Sequence, residues 1–314
     1  MHLIDGTGVA SLLDYPALIE ALEAGHRGAP PLVDRSLLQH ADDSFLVLPA
    51  WLPGTAMGVK MATVVPGNAT RVDELPTIHA AYQLFCGETG QALAAIDGTT
   101  LTLFKTAADS GLGARLLAPR HASTLLMVGA GALAPHLVAA HRAARPSIER
   151  VLVWNRTPSH RDALVAQLRD EGIDAVAIDD LDAAAPEADI ISCATATTTP
   201  LIAGERLRAG QHLDLVGAFR PDMRESDDAC VRRARLFVDL RLSTLDSAGD
   251  LTQPVAAGVI TRDEVLADLF ELIGDHVTGR SHDDDITLFK NGGGGHLDLM
   301  TAWHCWQRYQ ATRT

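Results

Sequence analysis

The spacing richest in chemistry is Gly129-Ala130-Gly131-Ala132-Leu133-Ala134, a G-x-G-x-x-A turn. An apolar run at 125–128 precedes it. A helix-like segment to about Ala144 follows, and then a second apolar run at 151–154. Strand, glycine turn, helix and strand in this order form the context in which such a turn cradles a dinucleotide. Gly129 permits the tight turn, Gly131 leaves room for a diphosphate, and Ala134 lets the helix sit close to the strand. Ala130, Ala132 and Leu133 supply the intervening backbone. The helix N-terminus adds free N–H groups and a positive dipole end. The alternative is a tight strand-to-helix turn with no ligand.

The end of the second strand selects the dinucleotide. A carboxylate there takes the ribose hydroxyls of NAD; this chain has Asn155-Arg156-Thr157. Nothing there repels a 2′-phosphate. Arg156 can pair with one, and Asn155 and Thr157 can add neutral hydrogen bonds. The pattern therefore favours NADPH, with NADH possible. The bland alternative for Arg156 is a solvated loop arginine. His160 and Arg161 lie nearby and read equally as helix surface.

These residues need a frame. Further short strands at 175–178, 188–194, 212–219 and 236–239 alternate with helices, the signature of an α/β, Rossmann-type, doubly wound parallel sheet. Ligands in such sheets sit beyond the carboxyl ends of the strands. Thr195 and the Gly217-Ala218-Phe219 turn fall there. Upstream, residues 1–28 carry a helical pattern with an Asp14-Tyr15-Pro16 start. Strand-like runs follow at 44–48, 57–65, 78–85 and 91–96, joined by turn signals, and read as a sheet of antiparallel hairpins. A helix at 101–118 leads into the nucleotide fold. The tail, 285–313, holds Asp285-Ile286-Thr287-Leu288-Phe289-Lys290, then Asn291 and four glycines, then a terminal helix.

At 314 residues the chain can bury a large core in two domains. Apolar residues make up 47% and charged residues 21%, a globular, enzyme-like balance. The net charge of −14 disfavours nucleic acid and anionic membranes as partners. It also requires local Lys or Arg to capture an anionic substrate. The N-terminus lacks a signal-peptide pattern and no apolar run reaches spanning length, so a cytoplasmic protein is expected. The four cysteines are scattered without metal-ligand spacing, and no metal is expected.

Four stretches, in order and spacing, resemble the ornithine cyclodeaminase/mu-crystallin family. They are Leu48-Pro49-Ala50-Trp51 with Gly58-Val59-Lys60-Met61-Ala62-Thr63-Val64-Val65-Pro66-Gly67-Asn68; Val128-Gly129-Ala130-Gly131; Val153-Trp154-Asn155-Arg156-Thr157; and Asp285-Ile286-Thr287-Leu288-Phe289-Lys290. The G-V-K-x-x-T-x-x-P-G-N stretch is the most specific. The resemblance implies an α+β substrate-binding and dimerisation domain at 1–115 with 290–314, a nucleotide domain at 116–289, and a homodimer joined through the substrate-domain sheets.

Within the family, cyclodeaminases look like G-x-D after the fifth strand. Here Phe219 stands in place of that Asp, and a phenyl ring cannot manage ammonia loss. The wording Gly217-Ala218-Phe219-Arg220-Pro221-Asp222-Met223-Arg224-Glu225 is similar to that of the family's cyclic-ketimine reductases. These reduce Δ1-pyrroline-2-carboxylate to L-proline and often Δ1-piperideine-2-carboxylate to L-pipecolate, a place in proline metabolism. The resemblance makes Lys60 the substrate-contacting and catalytic lysine, holding the carboxylate or passing a proton; the alternative is a salt-bridged strand lysine. Arg35 fits the family's carboxylate-binding arginine less closely and reads equally as a surface arginine, and Lys105 stands where the family usually has Arg. Lysine keeps the charge but loses the bidentate fork. Phe219 would line both substrate and nicotinamide. Asn291, ahead of Gly292-Gly293-Gly294-Gly295, would line the cofactor site where the family usually has a Ser-Val-Gly-like turn. Other readings on the same scaffold are a lyase (ornithine cyclodeaminase or hydroxyproline dehydratase), a crystallin-like protein that binds NADPH without turnover, and an amino-acid dehydrogenase.

Three histidines, His79, His296 and His304, lack a visible partner in the sequence and read as structural or exposed. Ser281-His282-Asp283-Asp284-Asp285 reads as a solvated acidic turn.

Overall fold

The computed structural model describes residues 1–70 and 75–313. The chain divides into two compact units, one of Met1–Lys105 with Gly294–Thr314 and one of Thr106–Gly293. The breaks expected at 115 and 290 therefore move to 105 and 294. The first falls inside the helix Gly98–Leu117. The later half of that helix is committed to the second unit: Ser110 Oγ donates to Asp214 at 2.9 Å, and a Cβ on Gly113 would lie 2.6 Å from the Phe289 ring. Asn291 belongs to the same unit, because its Nδ2 donates to Thr106 O at 2.9 Å.

The first unit contains β1 (His2–Ile4), β2 (Leu32–Val33), β3 (Ser36–His40), β4 (Asp43–Leu52), β5 (Ala56–Val64), β6 (Ile78–Cys86) and β7 (Ala92–Asp97). They form a seven-stranded sheet in the order β1-β7-β6-β5-β4-β2, with β3 also on β4. The hairpins are antiparallel as the turn signals require, but β1 runs parallel to β7. It lies inside the stretch expected to be helical. Three residues show no period, and the strand gains its hydrogen bonds only from the free edge of β7. The helical pattern that follows is real. Asp14 caps the helix Tyr15–His26 by accepting from Ala17 N at 2.9 Å. On β5 the residues Ala56, Gly58, Lys60 and Ala62 alternate into the buried face. The helix Gly295–Ala311 packs against β4 and β5.

The second unit is an all-parallel eight-stranded sheet. Its strands are β8 (Thr124–Val128), β9 (Arg150–Trp154), β10 (Asp174–Ala177), β11 (Ile190–Cys193), β12 (His212–Leu215), β13 (Arg235–Val238), β14 (Val265–Ala267) and β15 (Thr287–Lys290). Their order is β10-β9-β8-β11-β12-β15-β13-β14. The six expected strands are present, and two more join them. The short β14 closes the edge. The tail segment β15 inserts between β12 and β13, fully buried along its length. That placement holds because Lys290, a poor core residue alone, meets Asp250 at 3.1 Å. Under the sheet, buried Asp214 accepts from Ser110 Oγ (2.9 Å) and Ser192 Oγ (2.7 Å) and pairs with His141 Nε2 (3.0 Å). Burial opposes its charge, but these partners outweigh it and hold the carboxyl below its usual range. One carboxylate thereby ties β11, β12 and two helices together.

Candidate active site

In the second unit, β8 ends in the glycine turn. Gly129 has φ of +110°, and a Cβ there would lie 2.6 Å from Ala194 O, so only glycine fits. Gly131 is different: a Cβ there would meet no atom within 4 Å. The open space beside it is what a diphosphate needs. Leu133 heads the helix Ala134–Ala144 with no side-chain cap; Ala134 N donates to Gly131 O at 3.0 Å, and the positive end of the helix points towards the turn. Ala134 is buried and Pro135 sits in the first turn. Ala130, Gly131 and Ala132 lie on the outside of the turn. These features fit a nicotinamide dinucleotide.

At the end of β9, Asn155 is spent on the turn itself. Its Oδ1 accepts from Ala130 N at 3.1 Å and its Nδ2 donates to Thr157 O at 2.9 Å. Arg156 and Thr157 are exposed, immediately before the helix Pro158–Asp170, whose first turn also lacks a side-chain cap. Arg161 faces away from this role, in ion pairs with Asp162 at 2.8 Å and with Asp179.

Beyond β11, Thr195 N and Oγ1 donate to Glu225 Oε1 at 2.7 and 2.8 Å. Beyond β12, Gly217 N donates to Glu225 Oε2 at 2.7 Å. A Cβ on Gly217 would lie 2.0 Å from Thr195 O, so the two turns are closely packed. Phe219 N donates to Gly217 O at 2.7 Å, and the phenyl ring is 55% exposed. Beyond β15, Asn291 is buried, with Nδ2 donating to Thr106 O and to Ser110 Oγ at 3.0 Å. The glycines after it are fixed by packing and backbone geometry. A Cβ on Gly292 would strike Thr244 Oγ1 at 2.3 Å, and Gly293 has φ of +70°.

In the first unit, Lys60 lies opposite Leu48 and Tyr82 in the sheet and points into the interior. Its Nζ is 2.8 Å from Asp298 Oδ2 and 3.0 Å from Oδ1. Burial pushes the Lys60 ammonium below its ordinary pKa; Asp298 pulls it back and Lys105 pushes it further down. Lys105 is buried too, and among the described residues no carboxylate pairs with it. Two buried ammonium groups thus feel one another's charge, and of the two only Lys60 is paired with a carboxylate among the described residues, an arrangement that attracts an anion. His296 is fully buried with its ring 5.9 Å from that of His26, edge-on. Burial, His26 and Lys105 hold it far below the usual imidazole range, so it is neutral. His79 is exposed and His304 half-buried. Arg35 is exposed between β2 and β3, and its backbone N donates to its neighbour Asp34 at 2.7 Å. Among the described residues no hydrogen bond or ion pair joins it to Lys60 or Lys105.

The sequence reading missed Asp298 and the trio Glu225, Asp250 and Lys290. A signal existed for the first. Leu297, Asp298, Thr301, Ala302 and Cys305 share the buried face of one helix, and an aspartate in phase with core positions demands a cation. Glu225 sits in an irregular segment with no period to betray its burial. At the acidic turn, Asp285 Oδ2 accepts from Ser281 N (2.7 Å) and His282 N (3.0 Å).

The model of the ornithine cyclodeaminase/mu-crystallin family matches residues 12–313. A Delta(1)-pyrroline-2-carboxylate reductase of Paracoccus denitrificans (strain Pd 1222) is 45% identical over 298 residues, covering 95% of this chain and 93% of the relative. Among solved structures, the Thermococcus litoralis Delta(1)-pyrroline-2-carboxylate reductase in complex with NADH and L-proline superposes with a TM-score of 0.93. It is 27% identical, over 100% of this chain and 99% of that one. An archaeal alanine dehydrogenase dimer with bound NAD gives a TM-score of 0.91 at 26% identity, over 100% and 97% of the two chains.

Proposed function

We propose that this chain, which belongs to the ornithine cyclodeaminase/mu-crystallin family, is an oxidoreductase that reduces cyclic α-imino acids with a nicotinamide cofactor. Δ1-Pyrroline-2-carboxylate is the lead substrate and L-proline the product; Δ1-piperideine-2-carboxylate, giving L-pipecolate, is the second. The observation that carries the reading is a pair of buried lysines, Lys60 held by Asp298 and Lys105 near enough to disfavour the charge on Lys60. A small cyclic carboxylate supplies the missing negative charge.

The roles follow from the chemistry. The substrate's carboxylate binds the ammonium groups of Lys105 and Lys60. Asp298 fixes the Lys60 amine, whose pKa burial lowers, and the amine is the group placed to pass a proton near the imine nitrogen. A protonated imine is already electrophilic, so it needs a positioned hydride donor and little more. The bound nicotinamide supplies that hydride. The N–H groups after Gly131 and the turns at Thr195, Gly217, Phe219 and Asn291 hold and orient the dinucleotide. Phe219 offers an apolar surface and no acid or base, which suits reduction and not cyclodeamination. Arg35, exposed between β2 and β3, is kept as an outer contact for the substrate's carboxylate.

NADPH preference is part of the same proposal. It rests on Arg156 and Thr157 with the uncapped N-terminus of the helix Pro158–Asp170. Asn155 supports that corner from behind. A homodimer through the first unit's sheet is supported by exposed Leu37, Leu38, Phe45 and Trp51 there, beside an apolar groove of about 470 Å³. No helix among the described residues is long and apolar enough to cross a membrane.

The test is the absorbance of NADPH, and of NADH in parallel, with purified protein and freshly generated Δ1-pyrroline-2-carboxylate. Rapid oxidation with L-proline formed in equal amount is expected. Oxidation with pyruvate and ammonia but not with the cyclic imine would overturn the reading in favour of an amino-acid dehydrogenase.

A further inference from the structure

Glu225 is fully buried and joins the ends of two strands. Its Oε1 takes the N–H and hydroxyl of Thr195 after β11; its Oε2 takes the N–H of Gly217 after β12. The backbone that carries it is fixed in turn. Asp250, on the helix Gly249–Ala256, accepts from Glu225 N at 2.7 Å and Ser226 N at 3.3 Å through Oδ1, and pairs through Oδ2 with Lys290 at the end of β15. Three strand ends therefore converge on one buried carboxyl–carboxyl–ammonium frame.

The sheet order says what that frame serves. From β8 and its glycine turn, β9 and β10 lie on one side and β11 and β12 on the other. A dinucleotide laid across such a switch point puts one half on each side. The adenosine half goes with β9, where Arg156 lies. The nicotinamide half goes with β11 and β12. We infer that Glu225, in its ionised form, is a positioning residue for the nicotinamide half of the dinucleotide, holding the Thr195 and Gly217 turns in register. The inference rests on the proposed nucleotide site.

Two backbone N–H groups on two oxygens require two strong acceptors, which the carboxylate has and the protonated acid lacks. The groups that face Glu225 are Thr195 and Cys193 from β11, Gly217 from β12, Asp250 from its helix and Lys290 from β15. Cys193 is neutral, its thiol pushed up by burial and by the surrounding carboxylates. Burial raises the Glu225 carboxyl to about 7; Asp250 adds to this, while Lys290 and the Thr195 bonds oppose it. The clamp therefore closes as pH rises through neutrality.

The experiment measures the dissociation constants of NADH and of ADP-ribose, which lacks the nicotinamide, on either side of pH 7, for the natural protein and for Glu225→Gln. In the natural protein NADH binding should weaken on the order of tenfold as pH falls, about one hydrogen bond to a charged group, with ADP-ribose unaffected. In Glu225→Gln, NADH should bind weakly at every pH while ADP-ribose stays within about twofold. Equal weakening of both ligands, or NADH binding unchanged by the substitution, would overturn the inference. If the variant does not fold, the natural protein alone decides, since a pH-independent gap between NADH and ADP-ribose has the same force. Absence of binding by either ligand to the natural protein would remove the nucleotide site itself. ADP-ribose binding without the pH-dependent gap would remove only the role of Glu225.

Discussion

At the scale of single residues, a buried charge has meaning only with its partner. Lys60 is 7% exposed and Asp298 wholly buried, so removing the amine strands a carboxylate in a medium that cannot solvate it. Lys60→Ala should lower the kcat/KM for the cyclic imine by about a hundredfold or more. It should also destabilise the fold by roughly 3–5 kcal/mol, the usual result of breaking a buried pair from one side. Steady-state kinetics and denaturant unfolding read the two separately. Restored stability without restored rate is expected in Lys60→Ala combined with Asp298→Ala. Arg156 is the opposite case, an exposed arginine with work only if a phosphate arrives. Arg156→Ala should raise the KM for NADPH about tenfold, the worth of one charge-assisted hydrogen bond, and leave NADH unchanged. Equal changes for both cofactors would refute the proposed NADPH preference.

At the scale of elements, the sheet of the second unit shows how polar groups organise apolar strands. The strands themselves are continuous hydrophobic runs, as buried parallel strands are. Their carboxyl ends are set by Glu225, Asp250 and Lys290, and their middle by Asp214. Glu225 gives this a pH signature. An acid whose folded pKa, about 7, lies above its ordinary value of 4.5 contributes stability that is fully present below 4.5 and lost as pH rises through 7. The unfolding free energy should decline across that window, and Glu225→Gln should flatten the decline. A profile in which the substitution changes nothing between those pH values would show that the carboxyl titrates normally. The strands that period and composition reveal are those with several alternating or continuously apolar residues. β1 and β14 are three residues long, and β15 ends in a lysine. Each needs a neighbour to be a strand, and no local pattern announces the neighbour.

At the scale of the whole molecule, the acidic chain keeps its exposed large apolar side chains largely in the first unit, several of them on β3, β4 and β6. Leu38 and Phe45 are cross-strand neighbours on β3 and β4, and every residue of β3 is exposed. An apolar edge of this kind is stable in water when another surface covers it. The protein should sediment as a dimer, and Leu38→Lys should shift it towards the monomer. A natural protein that sediments as a monomer at all concentrations would reject the proposed homodimer.

The sequence by itself determined whatever depends on neighbours along the chain. The glycine turn between β8 and its helix, the absence of a carboxylate at 155–157, the strand-like run that becomes β5 and the cap at Asp14 are all local, because backbone geometry and period act over a few residues. The family likeness of four stretches extended that reading to nearly the whole chain. Only the tertiary structure decided which charges meet. Asp298 reaches Lys60 across 238 residues, Lys290 finds Asp250 across 40, and Glu225 closes on turns 30 and 8 residues away. It also decided that Asn155 spends its amide inside the turn. A buried ion pair is stable only when both partners are desolvated together, and that condition belongs to packing in three dimensions, which spacing along the chain does not encode.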